Sequence, residues 1–323
     1  MKVFAFEPTD YAPRYREEQY VHIRGGIDPE FLELLQDYAA RELEATRLEG
    51  FAIKGKKEQS LFEFPASVDE YPGELFDVVA ALCGFSRETM TLSERHIQAY
   101  EASAAPEPLA HKDRYASLVS VGLSIAVPEE SRLVLYPYDQ RSVNPFNQSA
   151  AFLGALQPDE RPELLRENAQ EVALADRPGD VVAFPGSSTW HLRRNSARSV
   201  NLYLKFNDFD SDPLGEDPAT PVWRERTLAA LQRSDGDFRA LVPVPARRLD
   251  LVSRHYTRGG DEALQARIYA EEPFGLTEAQ ARILREAKRG RNVSELADAV
   301  QADVEADVRL LAERGAVDLL PAG

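Results

Sequence analysis

The residues with the clearest chemistry are His111, Asp113 and His191. His111-Lys112-Asp113 is a weak signal alone, because a chain with five histidines and abundant acids produces a His-x-acid pair by chance. Its setting strengthens it. A β-type segment, 118–126, follows directly, and His191 comes far downstream, after Arg177-Pro-Gly-Asp-Val-Val-Ala-Phe-Pro-Gly186. Two imidazoles and one carboxylate on one face of a non-haem iron leave three positions open, enough for a bidentate cosubstrate and dioxygen. Two ligands close in sequence and one distant is also what a closed sheet supplies, with the pair leaving one strand end and the second histidine arriving on a late strand. The competing reading is a surface His-Asp pair and one core histidine. His22, His96 and His255 read as structural, and Trp190 as packing.

These residues need a β framework. Residues 96–100, 118–126, 133–136, 181–184 and 199–206 have strand composition, separated by turn signals such as Pro178-Gly179-Asp180 and Pro185-Gly186. Two helices are expected ahead of them. One starts at Asp28-Pro29-Glu30 and runs to about Arg47; the other covers Gly73–Leu82 and closes at Gly84. Residues 139–176 form an insertion with one helix expected near Pro162–Ala169, and an insertion of that size in a β domain serves as a lid or substrate loop. The acidic, proline-rich run 208–221 reads as a linker. Beyond it, Thr277-Glu-Ala-Gln280 is a capping box, and three short helices followed by the strand-like 316–320 suggest a small winged-helix-like domain. The expected division is 1–210, 211–272 (linker and helical connector) and 273–323.

The set His111-x-Asp113, Pro178-Gly-Asp-Val-Val-Ala-Phe-Pro-Gly186 and His191 resembles the double-stranded β-helix oxygenases that use Fe(II) and 2-oxoglutarate, over about residues 95–207. The Gly-Asp, aromatic, Pro-Gly, His run is similar to phytanoyl-CoA-hydroxylase-like and prolyl-hydroxylase-like members. Leu133-Val-Leu-Tyr-Pro137 and His191-Leu-Arg-Arg-Asn-Ser-Ala-Arg-Ser-Val200 look more like the JmjC or cupin-type branch, some of whose ribosomal-protein hydroxylases carry a C-terminal winged helix. The resemblance implies an α+β chain with a jelly-roll core and flanking helices. His111, Asp113 and His191 would hold iron, 2-oxoglutarate and dioxygen would be cosubstrates, and decarboxylation to succinate would accompany hydroxylation of a C–H bond. An intact Asp113 sets the chain apart from related halogenases, which have Gly or Ala there.

The chain departs from the pattern at the cosubstrate's distal carboxylate, which needs a cationic partner. No basic residue lies between Arg114 and Arg132, and position 201 is Asn. The remaining choices are Arg198 and Lys205. Ser199, Asn201, Tyr203 and Lys205 share one face of their strand, so Lys205 is the anchor if that face lines the barrel; Arg198 serves if the strand starts late. Arg198 has the narrow preference, and Asn201 belongs to the same expected cosubstrate site.

Composition narrows the alternatives. The 323 residues carry 54 acidic and 38 basic side chains, a formal charge of −16, which opposes a phosphate backbone or an anionic membrane. The single cysteine, Cys83, excludes an intramolecular disulfide framework and a Cys-rich metal site. No basic segment with an apolar run opens the chain and no stretch approaches ~18 apolar residues, so a cytoplasmic protein is expected. The substrate is expected to be a peptide or protein side chain, with a free amino acid or natural-product intermediate as the rival. A non-catalytic, cupin-like binding or regulatory protein is the alternative from another class. The tail is expected to make protein contacts, homodimerisation among them, and not to bind nucleic acid.

Overall fold

The computed structural model describes residues 2–48, 57–65, 71–138, 142–164, 167, 169–256 and 262–321. The chain divides into two compact units, 1–209 and 210–323.

In the first unit, helices α1 (Pro8–Glu18), α2 (Pro29–Arg41) and α3 (Tyr71–Cys83) accompany two antiparallel sheets. The larger contains β1 (Val21–Ile23), β2 (Lys57–Leu61), β3 (Thr91–Tyr100), β4 (Val119–Ala126), β7 (Val181–Phe184) and β9 (Val200–Asn207), in the order β1-β7-β4-β9-β3-β2. The smaller contains β5 (Arg132–Tyr136), β6 (Val172–Leu174) and β8 (Trp190–Arg194), in the order β6-β5-β8, and is extended beyond β8 by an isolated bridge between His111 and His191. From β3 onward the chain crosses repeatedly between the sheets, the winding of a jelly roll.

Strand periodicity decides what each face does. On β9, Leu202, Leu204 and Phe206 enter the main core with Phe31 and Leu35 of α2 and Leu75, Val79 and Leu82 of α3. The alternating Tyr203 and Lys205 face the other way, into the hollow between the sheets. A bulge between Leu92 and Glu94 sets the register of β3 so that Glu94, His96, Gln98 and Tyr100 share the inner face. Part of the interior is apolar, closed by Leu133, Leu135, Val182 and Phe184.

Local signals account for the helix starts. Asp28 Oδ1 accepts from the N–H groups of Glu30 and Phe31 at 3.0 and 3.4 Å, with Pro29 at the first helical position. Helix α2 stops at Arg41, short of the expected Arg47. In the insertion, α4 (Ser149–Ala155) is an α-helix and Pro158–Glu160 and Pro162–Leu164 form single 3₁₀ turns; of the helix expected near Pro162–Ala169, Glu167 is helical and residues 165, 166 and 168 lie outside the described residues. Pro158 and Pro162 each lack an N–H, which favours short turns over a continuous helix.

The second unit corrects the expected linker and helical connector at 211–272. That stretch holds α5 (Ala219–Ala230) and α6 (Asp235–Arg239), but also strands β10 (Val242–Pro245), β11 (Leu249–Tyr256) and β12 (Glu262–Ile268). After β13 (Phe274–Leu276) come α7 (Glu278–Glu286), α8 (Val293–Val300), α9 (Glu305–Glu313) and β14 (Val317–Leu320). Strand β14 pairs with β10, which precedes the three helices in the chain, and β11, β12 and β13 form a separate sheet. Ala230, Phe238, Leu241 and Ile268 share one core with Ile283, Leu296, Val308 and Leu311, so 211–272 and 273–323 fold as one body. The acidic run owes its order to Asp212, which is fully buried and accepts from the N–H groups of Gly215, Glu216 and Asp217 and the Thr220 hydroxyl. Acid-rich composition resembles a solvated linker until the backbone donors that surround such a carboxylate are known.

Candidate metal centre

The His111↔His191 bridge brings the two histidines side by side. The His111 N–H donates to the His191 carbonyl at 2.9 Å, the reverse bond measures 3.0 Å, and the ring centroids lie 4.3 Å apart. Asp113 follows two residues later, its N–H donating to the Gly186 carbonyl at 3.0 Å. His111 Nε2 and His191 Nε2 lie 3.9 and 3.7 Å from Asp113 Oδ1, and the three ligating atoms all fall within 4.8 Å of one another. An ion with ligands at about 2.1 Å needs neighbouring donors roughly 3.0–3.4 Å apart, so a small inward adjustment completes a shell on these side chains. Two imidazoles and a carboxylate suit a divalent transition metal with open positions, as a non-haem iron requires.

Surrounding groups hold the triad in ligand-ready form. His191 Nδ1 donates to the Thr189 carbonyl at 2.9 Å, in the tautomer that leaves Nε2 free for a metal. Burial depresses both imidazole pKa values, and His191 adds to the effect on His111, although the His111 side chain keeps 41% of its surface open. Burial pushes the Asp113 carboxyl up, but Lys205 and the two histidines outweigh it and hold Asp113 below the usual carboxylate range. Neutral imidazoles beside an ionised carboxylate are what metal binding needs. Ser120 Oγ donates to Asp113 Oδ2 at 2.5 Å, and Lys205 Nζ donates to Oδ1 at 2.9 Å. Gly186 makes room for this: a Cβ there would lie 2.2 Å from Ser120 Oγ and 2.5 Å from Asp113 Oδ2. The Pro-Gly of the sequence run therefore serves close approach as well as the turn.

The hollow beside the triad is lined by Gln98, Tyr100, Leu133, Arg193, Tyr203 and Lys205 and measures about 20 Å³. It admits a water-sized body; a larger ligand enters when the lining side chains move. Lys205 is buried and also pairs with Glu94 Oε1 at 2.8 Å, while Arg114 Nε lies 3.3 Å from Glu94 Oε2. Asn201 is buried, and its Nδ2 has no hydrogen-bond partner among the described residues. Arg198 is exposed, at positive φ (65°) in the turn before β9. The strand does start late, at Val200, yet the left-handed turn leaves the Arg198 side chain in solvent and not turned into the hollow.

Sequence reasoning passed over Arg193 and Lys57. Arg193, two residues after His191 on the same face of β8, meets Asp176 through two bonds of 3.0 and 2.9 Å and approaches the Tyr203 hydroxyl at 3.5 Å. Strand parity with His191 was the available signal. Lys57 of β2 is 8% exposed, bonds Gln98 Oε1 at 3.2 Å and has no carboxylate partner among the described residues; burial, aided by Lys205, lowers its pKa to about 8. Nothing in the local sequence marks β2 as part of the barrel. The other histidines stand outside the triad. His22 pairs with Asp180 at 2.8 Å, His255 with Ser253, and His96 faces the interior 3.4 Å from Glu94. Trp190 is fully buried and packs with Val134, Tyr136, Phe152 and Leu192.

No protein-family model matches the chain, and no curated protein matches it. Solved structures do. A non-heme alpha-ketoglutarate-dependent carbocyclase, SnoK from nogalamycin biosynthesis, is 17% identical with a TM-score of 0.48, covering 62% of this chain and 83% of its own. EctD from S. alaskensis, with 2-oxoglutarate and 5-hydroxyectoine, is 15% identical with a TM-score of 0.46, covering 64% and 82%. A Pseudomonas putida prolyl-4-hydroxylase is 11% identical with a TM-score of 0.42, covering 62% and 99%. At these identities and TM-scores the likeness assigns no role to any residue of this chain. Among the described residues, no helix is long and apolar enough to cross a membrane.

Proposed function

We propose that this chain is an Fe(II)- and 2-oxoglutarate-dependent oxygenase that hydroxylates an unactivated C–H bond. The observation that carries the reading is the convergence of His111, Asp113 and His191 at a hollow between two sheets, their ligating atoms all within 4.8 Å of one another. Fe(II) held there would, with 2-oxoglutarate and dioxygen, supply the oxidising power for hydroxylation, releasing succinate and carbon dioxide. The chain's own part is ligand geometry, charge complementarity and substrate placement.

Charge favours an acidic cosubstrate. Lys57, Lys205 and Arg114 face Glu94 and Asp113, a surplus of one positive charge before any metal is added (three against two). A divalent ion raises the surplus, and a dicarboxylate answers it. Lys205, with Asn201 and Arg193 on the inner face, is the reading's choice for the distal carboxylate; exposed Arg198 is the weaker choice. The substrate is proposed to be a peptide or protein side chain, because a second folded unit accompanies the barrel. In this reading the 273–323 region, with its three short helices, is winged-helix-like and works through protein contacts in a cytoplasmic protein. Its third helix holds Glu305, Asp307 and Glu313 against Arg309, which opposes DNA.

The test is anaerobic titration of the purified chain with Fe(II) and 2-oxoglutarate. A weak visible charge-transfer band is expected, followed by succinate release on admitting air. Iron binding without that band would favour the non-catalytic, cupin-like alternative, and no iron binding would sink the reading.

A further inference from the structure

The start of the insertion is built into the ligand segment. After the His111 bridge, residues 112–114 lie outside any strand, so no sheet ladder satisfies their backbone groups. Residues 142–147 bond along this segment and its continuation to Ala116. Lys112 Nζ donates to the Ser142 carbonyl at 2.7 Å, the Tyr115 N–H to the Phe146 carbonyl at 2.9 Å, and the Ala116 N–H to Asn147 Oδ1 at 3.0 Å. At the centre, Asn144 Nδ2 donates to the Asp113 carbonyl at 2.8 Å.

Asn144 is fully buried and itself tightly held. Its N–H donates to the Ser187 carbonyl at 2.8 Å, and its Oδ1 accepts from the Phe146 N–H at 2.9 Å. The Asp113 peptide is thereby gripped on both sides, its N–H on Gly186 and its C=O on Asn144. The carboxylate has its own contacts to Ser120 and Lys205, but those fix its rotation, whereas the backbone grip fixes where its Cα stands.

We infer that Asn144 is a positioning residue for the metal centre, acting through the Asp113 backbone, and that the start of the insertion reaches the site through this one side chain. The inference rests on the metal-binding reading above. Partners of this kind, one bond removed from the ligands, commonly alter metal affinity tenfold or more when changed.

The experiment uses the full chain under anaerobic conditions, with Co(II) as the probe, because its visible d–d bands report ligand geometry. Asn144→Asp keeps the size and the acceptor to Phe146 but removes the donor to Asp113. Its Co(II) Kd is expected to rise about tenfold or more, with shifted bands. Asn147→Ala, which frees the Ala116 N–H three residues beyond Asp113, is expected to bind Co(II) within about twofold of wild type even if its melting temperature falls. If Asn144→Asp does not fold, Asn144→Ser replaces it, with the same direction of change expected. Wild-type affinity and spectrum in the Asn144 variant would overturn the inference, as would equal losses in the Asn144 and Asn147 variants, which would signal general loosening. Failure of the wild type itself to bind Co(II) would overturn the metal reading and this inference together, so the two failures are distinguishable.

Discussion

Gly186→Ala offers a perturbation whose size is written in the geometry. The glycine's backbone lies outside the left-handed region, so the cost is one of space. The added Cβ would meet Asp113 Oδ2 at 2.5 Å and Ser120 Oγ at 2.2 Å, while ordinary van der Waals contact begins at 3.4 Å. The carboxylate oxygen must therefore retreat by about 0.9 Å (3.4 − 2.5) and the hydroxyl by about 1.2 Å (3.4 − 2.2). Either movement strains the 2.5 Å bond between them, and a rotating carboxylate also carries Oδ1 away from the imidazoles. Overpacking of this kind costs about 1–3 kcal/mol of stability. A ligand displaced by nearly half a coordination bond should weaken metal binding by about ten- to a hundredfold, or ~1.4–2.8 kcal/mol. Anaerobic metal titration measures the second effect, and thermal denaturation of the metal-free protein measures the first. A variant that binds metal as the wild type does would show that Asp113 is not the ligand, or that its setting beside Gly186 is immaterial.

Three further outcomes are expected. His111→Ala should abolish metal-dependent succinate formation and metal uptake while shifting the melting temperature little, because that side chain is 41% exposed; wild-type turnover would remove it from the ligand set. Lys57→Met should stabilise the protein at pH 7 by about 3 kcal/mol, since the lysine titrates near 8 when folded against 10.5 unfolded, while raising the KM for 2-oxoglutarate. Between those values the unfolded chain binds more protons, so wild-type stability should climb from pH 8 to 10.5 and the variant's should not; parallel stability–pH curves would refute the assignment. Lys205→Met should raise that KM strongly and Arg198→Ala hardly at all, as judged by succinate assays, and the reverse order would move the anchor to the turn.

The local grammar of this chain is legible because it depends on neighbours in sequence. Asp28-Pro29 starts a helix through its own side chain and a preset φ, and Thr277 with Gln280 closes a reciprocal cap. Alternation along 199–206 separates a core face from a polar face without any knowledge of the partner strands. The pairing of His111-x-Asp113 with His191 was legible too, because a β segment follows the first motif directly and the Pro178–Gly186 turn run precedes the second histidine.

What the tertiary structure decided is everything that depends on which strands meet. Strand β2 adds a buried lysine to the interior from far ahead of the ligand residues, and nothing near Lys57 in sequence announces it. Arg198 and Lys205 are equally basic on paper, yet a turn at positive φ leaves one exposed while strand parity buries the other beside two carboxylates. The acidic run after Asp208 looks like solvated chain because composition counts charges, whereas burial depends on the backbone donors and guanidinium groups that converge on Asp210, Asp212 and Asp217. Composition and periodicity act over a few residues, but the free energy of a buried charge is set by partners that only the closed fold brings within reach.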